Sequence, residues 1–67
     1  MTDRYNLIAR KQEVRARIER TQRELAQEQR KGEKANHRHL ARLESDLERL
    51  VAEEYRLRLA IDQSRRP

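Results

Sequence analysis

Apolar residues recur in this chain at alternating intervals of three and four, and they do so twice, in opposite phase. In the second half, Leu40, Leu43, Leu47, Leu50, Glu54, Leu57 and Ile61 are spaced 3, 4, 3, 4, 3 and 4, with Glu54 the one polar member. In the first half, Leu7, Lys11, Val14, Ile18, Thr21, Leu25 and Glu28 are spaced 4, 3, 4, 3, 4 and 3. Lys11, Thr21 and Glu28 dilute this second seam. Alternation of three and four keeps one stripe of a helix turned toward a partner, the a/d pattern of coiled coils.

The two series are mirror images about residue 34. Pairing outward from that point sets Glu28 against Leu40, Leu25 against Leu43, Thr21 against Leu47 and Ile18 against Leu50. Val14 then meets Glu54, Lys11 meets Leu57, and Leu7 meets Ile61. Each layer joins an a position to a d position, as antiparallel packing requires. The expected fold is therefore all-α, a single two-helix antiparallel coiled-coil hairpin. Its helices should cover about residues 3–31 and 37–64, with a turn over about 32–36.

Local chemistry agrees with that turn. Gly32, the one glycine, can take the left-handed conformation that closes a helix, and Arg30 and Lys31 complement the dipole just before it. Asn36 is a natural N-cap for the second helix, and Thr2 or Asp3 for the first. The alternative is an unbroken rod that makes the same layers between two chains, because one Gly inside a helix costs only about 1 kcal/mol.

Composition fits a solvated coiled coil. Charged residues make up 43% of the 67-residue chain and hydrophobic ones 34%, with no Trp, Phe or Cys. Such a balance suits a narrow seam on long helices rather than a broad core. Without Cys there is no disulfide framework and no thiolate zinc site. Apolar runs reach only three residues, as in Leu7–Ala9, which predicts neither a signal peptide nor a membrane span and gives a cytoplasmic expectation. Seventeen basic against twelve acidic side chains leave a net charge of +5, but the signs are interleaved.

Flanking charges give finer expectations. Arg17 should face Glu53 favourably across the hairpin, and Glu24 should approach Asp46 unfavourably. Glu13 with Arg17, Glu19 with Arg23, Arg49 with Glu53 and Glu54 with Arg58 should support the individual helices. Lys11 and Glu54, in adjacent seam layers, are expected to reach for the rim rather than to pair in the seam.

Two surfaces stand out as candidate sites. Tyr5, Ile8, Val51, Tyr55 and Leu59 lie outside the seam yet toward one side of the hairpin, at the end away from the turn. So few seam residues make a lone hairpin marginal. This patch is therefore expected to carry association, first into a dimeric four-helix assembly and second with a partner protein. Around the turn, Arg30, Lys31, Lys34, Arg38 and Arg42 form a basic tip that suits phosphate contact, although no aromatic side chain is near for base stacking.

Catalytic chemistry is not expected. Ser45 and Ser64 lack a His partner, and there is no glycine-rich phosphate loop. His37 and His39, two residues apart, point to different faces of a helix, so no metal is expected. The sequence thus predicts a non-enzymatic protein-interaction module (adaptor, assembly factor or inhibitor) without cofactor, small-molecule ligand or membrane. The alternative is a small basic RNA- or DNA-binding protein acting through the tip.

Overall fold

The computed structural model describes residues 4–64, and within them the chain is all-helical. Helix α1 spans Arg4–Gln29, a single 3-10 turn spans Gly32–Lys34, and helix α2 spans His37–Ser64. The two long helices pack against each other along the hairpin, so the single chain adopts the folded-back form and not the unbroken rod. The expected start at residue 3 and its Thr2 or Asp3 cap lie outside the described residues. α1 ends at Gln29 rather than at 31, because Lys31 already bonds at the tighter spacing of a turn, its N–H donating to the Glu28 carbonyl at 3.2 Å.

The molecule measures 55 × 14 × 14 Å, with a radius of gyration of 15.4 Å. A compact domain of this length would have a radius near 11 Å. The chain is thus a rod one helix pair thick, and its apolar interior is a line rather than a volume. All seven positions of each seam are buried or half-buried. Among the described residues, Val14, Ile18, Leu43 and Ile61 are the buried apolar ones, and Val14 is fully enclosed.

The polar members of the seam are each accommodated differently. Thr21 turns its hydroxyl back onto its own helix and donates to the Arg17 carbonyl at 2.8 Å. Glu54 leaves the seam axis to accept from Arg58 at 3.2 Å at the surface. Lys11 is half-buried and makes no ion pair within 4 Å among the described residues, so the Lys11–Glu54 pair does not form. No buried side-chain nitrogen or oxygen among the described residues lacks a hydrogen-bond partner. The weaker seam therefore holds without an uncompensated polar group.

Reversal of the chain depends on Gly32, whose φ of +60° lies in the left-handed region. A Cβ built there would meet nothing within 4 Å, so backbone conformation and not space selects glycine. On the far side, Asn36 accepts from the His39 N–H through its side chain at 3.2 Å, while its carbonyl accepts from Leu40 at 2.9 Å. These two bonds start α2 as an N-cap should. Gly32→Ala is expected to lose about 1–2 kcal/mol, the cost of a Cβ in the left-handed region, while Gly32→Asn loses less. Thermal unfolding followed by circular dichroism checks both, and equal melting temperatures for Ala and Gly would remove φ from the account.

Candidate functional site

The apolar candidates lie where an outside molecule could reach them. Tyr5 is 82% exposed, Tyr55 60%, Val51 50% and Leu59 43%. Ile8 is half-buried. Val51, Tyr55 and Leu59 succeed one another at four-residue spacing on α2, so they form one stripe along that helix. They are exposed helical residues on a scaffold with four buried apolar residues among the described ones.

The basic tip has a different construction. Arg30, Lys31, Lys34, Arg38 and Arg42 are all exposed. Of these, Lys31 is tied to Glu28 at 3.3 Å, whereas the other four make no ion pair within 4 Å among the described residues. The tip therefore presents four uncompensated cations, with Glu33 exposed among them. Unpaired arginines are not peculiar to the tip, however. Arg23 and Arg49 also lack an ion pair within 4 Å among the described residues, because the expected Glu19–Arg23 and Arg49–Glu53 pairs do not close. Glu13–Arg17 at 3.6 Å and Glu54–Arg58 at 3.2 Å do form.

Between tip and apolar end, one ion pair among the described residues crosses the hairpin. Arg10 reaches Glu53 at 2.8 Å and also Glu13 at 3.3 Å. The expected partner of Glu53 was Arg17, one heptad further along. Arg10 and Arg17 occupy equivalent positions beside the seam, so only the axial offset between the helices decides which is opposite Glu53. That pairing raises the Arg10 guanidinium above its usual value, chiefly through the hydrogen bond to Glu53. Arg17 instead borders a groove of about 400 Å³ with Arg20, Thr21, Glu24, Asp46 and Arg49. Glu24 and Asp46 both line that groove, together with the three arginines. Its balanced charge and open form give it no chemistry that a single ligand class would select.

The residue that sequence reasoning undervalued is Glu28. Read as a dilution of the seam, it is the one buried charged residue among the described residues, 7% exposed. Its carboxylate accepts from the Asn36 backbone N–H at 3.3 Å and from Lys31 Nζ at 3.4 Å, linking the end of α1 to the start of α2. The available signal was its place at the last seam position before a glycine, eight residues ahead of an N-cap. The Asn36 hydrogen bond, more than the pairing with Lys31, holds the Glu28 carboxyl below the usual glutamate value against the opposing effect of burial. His39 adds a smaller electrostatic pull in the same direction.

No three His, Asp or Glu side chains among the described residues are placed to hold a metal ion. No helix of the described residues is long and apolar enough to cross a membrane. Compared with known protein families, characterised proteins and solved structures, the chain shows no significant match.

The lowered Glu28 carboxyl has a pH signature. Its contribution is fully present above the ordinary carboxylate value and is lost as pH falls through the lowered native value. Helicity should therefore decline on the acid side as Glu28 is protonated. Glu28→Gln is expected to be less stable at neutral pH and to show a shallower acid limb in melting temperature against pH. An acid limb identical to that of the unaltered chain would show that other carboxylates carry it.

Proposed function

We propose that this chain is a non-enzymatic protein-interaction module that acts through the exposed stripe of α2 and its neighbours on α1, and that it associates into a dimeric four-helix assembly. The carrying observation is the exposure of Tyr55, Val51 and Leu59 on a hairpin that buries four apolar side chains among its described residues. Aromatic and branched apolar side chains on a helix are expensive to leave in water and inexpensive to bury, since their rotamers are already restricted. A helix face of this kind suits an adaptor, an assembly factor or an inhibitor of a larger protein.

The four uncompensated cations of the tip favour a second reading, a small protein that contacts RNA or DNA phosphates through Arg30, Lys34, Arg38 and Arg42. Lys31 contributes less, since Glu28 engages it. The nearest aromatic residues belong to the other end of the sequence's helices, which leaves base stacking without a platform.

Two variants separate the readings. Tyr55→Ser with Leu59→Ser alters the stripe; Arg30→Gln, Lys31→Gln and Arg38→Gln alters the tip. Immobilised protein is exposed to host extract, and nucleic-acid affinity is titrated against salt. An interaction module loses its bound protein in the stripe variant and keeps it in the tip variant and at high salt. The nucleic-acid reading requires the opposite, with log affinity falling by about 0.9 per phosphate contact for each unit of log salt.

A further inference from the structure

The seam that holds the hairpin together also fixes what lies opposite it. On the outer side of α2, the c and f positions of the heptad alternate at four and three just as the seam does, so they form one straight row along the rod. From the turn outward this row reads Arg38, Arg42, Ser45, Arg49, Ala52 and Arg56, and Leu59 of the apolar stripe closes it. Every residue of the row is exposed. None of its arginines makes an ion pair within 4 Å among the described residues. Arg56 engages only its Nε–H, donated to the Ala52 carbonyl at 3.4 Å. No acidic residue stands in the row. Glu48 borders it on one edge, and Asp46 and Glu53 on the other, both half-buried and Glu53 held by Arg10 at 2.8 Å. In the corresponding row of α1, Asn6, Ala9, Glu13 and Ala16 fill the half away from the turn, so only α2 carries cations along its length.

Spacing and neighbours narrow what such a row can hold. Arg42, Arg49 and Arg56 follow one another at about 10.5 Å, and the row from Arg38 to Arg56 covers about 27 Å. Between the arginines stand only Ser45 and Ala52, whose small side chains let a partner come close to the helix. A reader of single strands would carry aromatic platforms there, but Tyr55 stands beside the last arginine alone. A helix lying on a membrane would have an apolar face beside its cations throughout, but Glu44 and Glu48 occupy that side toward the turn. An acidic peptide would have to match its carboxylates to the arginine interval. A nucleic-acid duplex carries one negative charge per about 1.7 Å of its axis, so each arginine meets a phosphate in any register. The guanidinium fork suits phosphate oxygens in pairs.

Resting on the phosphate reading of the tip, with which it shares Arg38 and Arg42, we infer that the outer face of α2 is a docking surface for double-stranded nucleic acid. Arg38, Arg42, Arg49 and Arg56 hold the phosphates, without selecting bases. The contact therefore runs along the rod and is not confined to its end. About 8 base pairs of duplex lie along 27 Å. The apolar stripe and the arginine row converge only at Tyr55, Arg56 and Leu59, so most of the row is open whether or not a protein covers the stripe.

The full chain is titrated into fluorescent DNA and RNA duplexes of about 20 base pairs, and into single-stranded oligothymidine of the same length, between about 50 and about 200 mM salt. Expected is tighter binding to duplex than to single strand, with log affinity falling by about 3.6 per unit of log salt for four phosphate contacts. Arg49→Gln with Arg56→Gln leaves the tip intact and should bring that slope to about 1.8, with affinity at about 50 mM salt down by about tenfold or more. Arg49→Lys with Arg56→Lys should keep the slope. Ser45→Glu with Ala52→Glu, which retains every arginine, should also weaken binding, and circular dichroism follows the helicity of each variant. Arg30→Gln with Lys34→Gln, at the tip but outside the row, should leave the slope as it is. A preference for DNA or RNA names the duplex and supports the inference. An unchanged slope in helical Arg49→Gln with Arg56→Gln overturns the row; if the tip variant then loses slope, the phosphate reading of the tip stands without it. Tighter binding to the single strand overturns the duplex as partner. Binding to no nucleic acid at about 50 mM salt overturns both readings, as does binding only to vesicles of anionic lipid.

Discussion

A seam two residues wide carries the whole fold. Each helix buries chiefly its a and d positions against the other, and the resulting line of side chains has no second layer behind it. Every deviation from apolar chemistry in that line must therefore be resolved locally. Thr21 resolves it by bonding to its own helix, Glu54 by reaching Arg58 at the rim, and Glu28 by becoming part of the turn. These solutions share a physical rule: in a rod 14 Å thick, water or backbone is within one side chain's reach of every seam position.

The turn is where local chemistry and seam chemistry meet. Gly32 supplies a left-handed residue, Asn36 starts the next helix, and Glu28 connects them by accepting from the Asn36 N–H. Orphan donors at a helix start are usually satisfied by the residue at the cap itself. Here the preceding helix contributes as well, so closing the hairpin and starting α2 are coupled events. Lys31, drawn to Glu28, is spent in that closure, and the remaining cations of the tip are left to solvent.

A rod with so small an interior leaves its surface to decide what it does. Charge is spread over both flanks, and cross-helix pairing is confined to Arg10 with Glu53 among the described residues. Exposed surface pairs contribute little to stability in such a setting, since water screens them. What distinguishes one region from another is the exposed Tyr5, Val51, Tyr55 and Leu59 away from the turn and, at the turn, the cations left without an ion pair among the described residues.

Periodicity alone determined that the two segments pair antiparallel, because mirrored spacings about residue 34 set each seam position of one against a seam position of the other; that one chain folds back on itself, rather than two rods sharing the same layers, was decided at the left-handed Gly32. Gly32 and Asn36 were legible for the same reason: each has a backbone conformation or a donor that few other residue types serve. The apolar stripe was legible as residues left over from the seam. Tertiary structure decided what spacing leaves degenerate. Arg10 and Arg17 are one heptad apart and equivalent in sequence, and only the axial offset of the helices gives Glu53 to Arg10 and so withholds it from Arg49. Glu28 is a carboxylate at an apolar position until the chain folds back; only then does the Asn36 N–H, eight residues away, come within 3.3 Å of it.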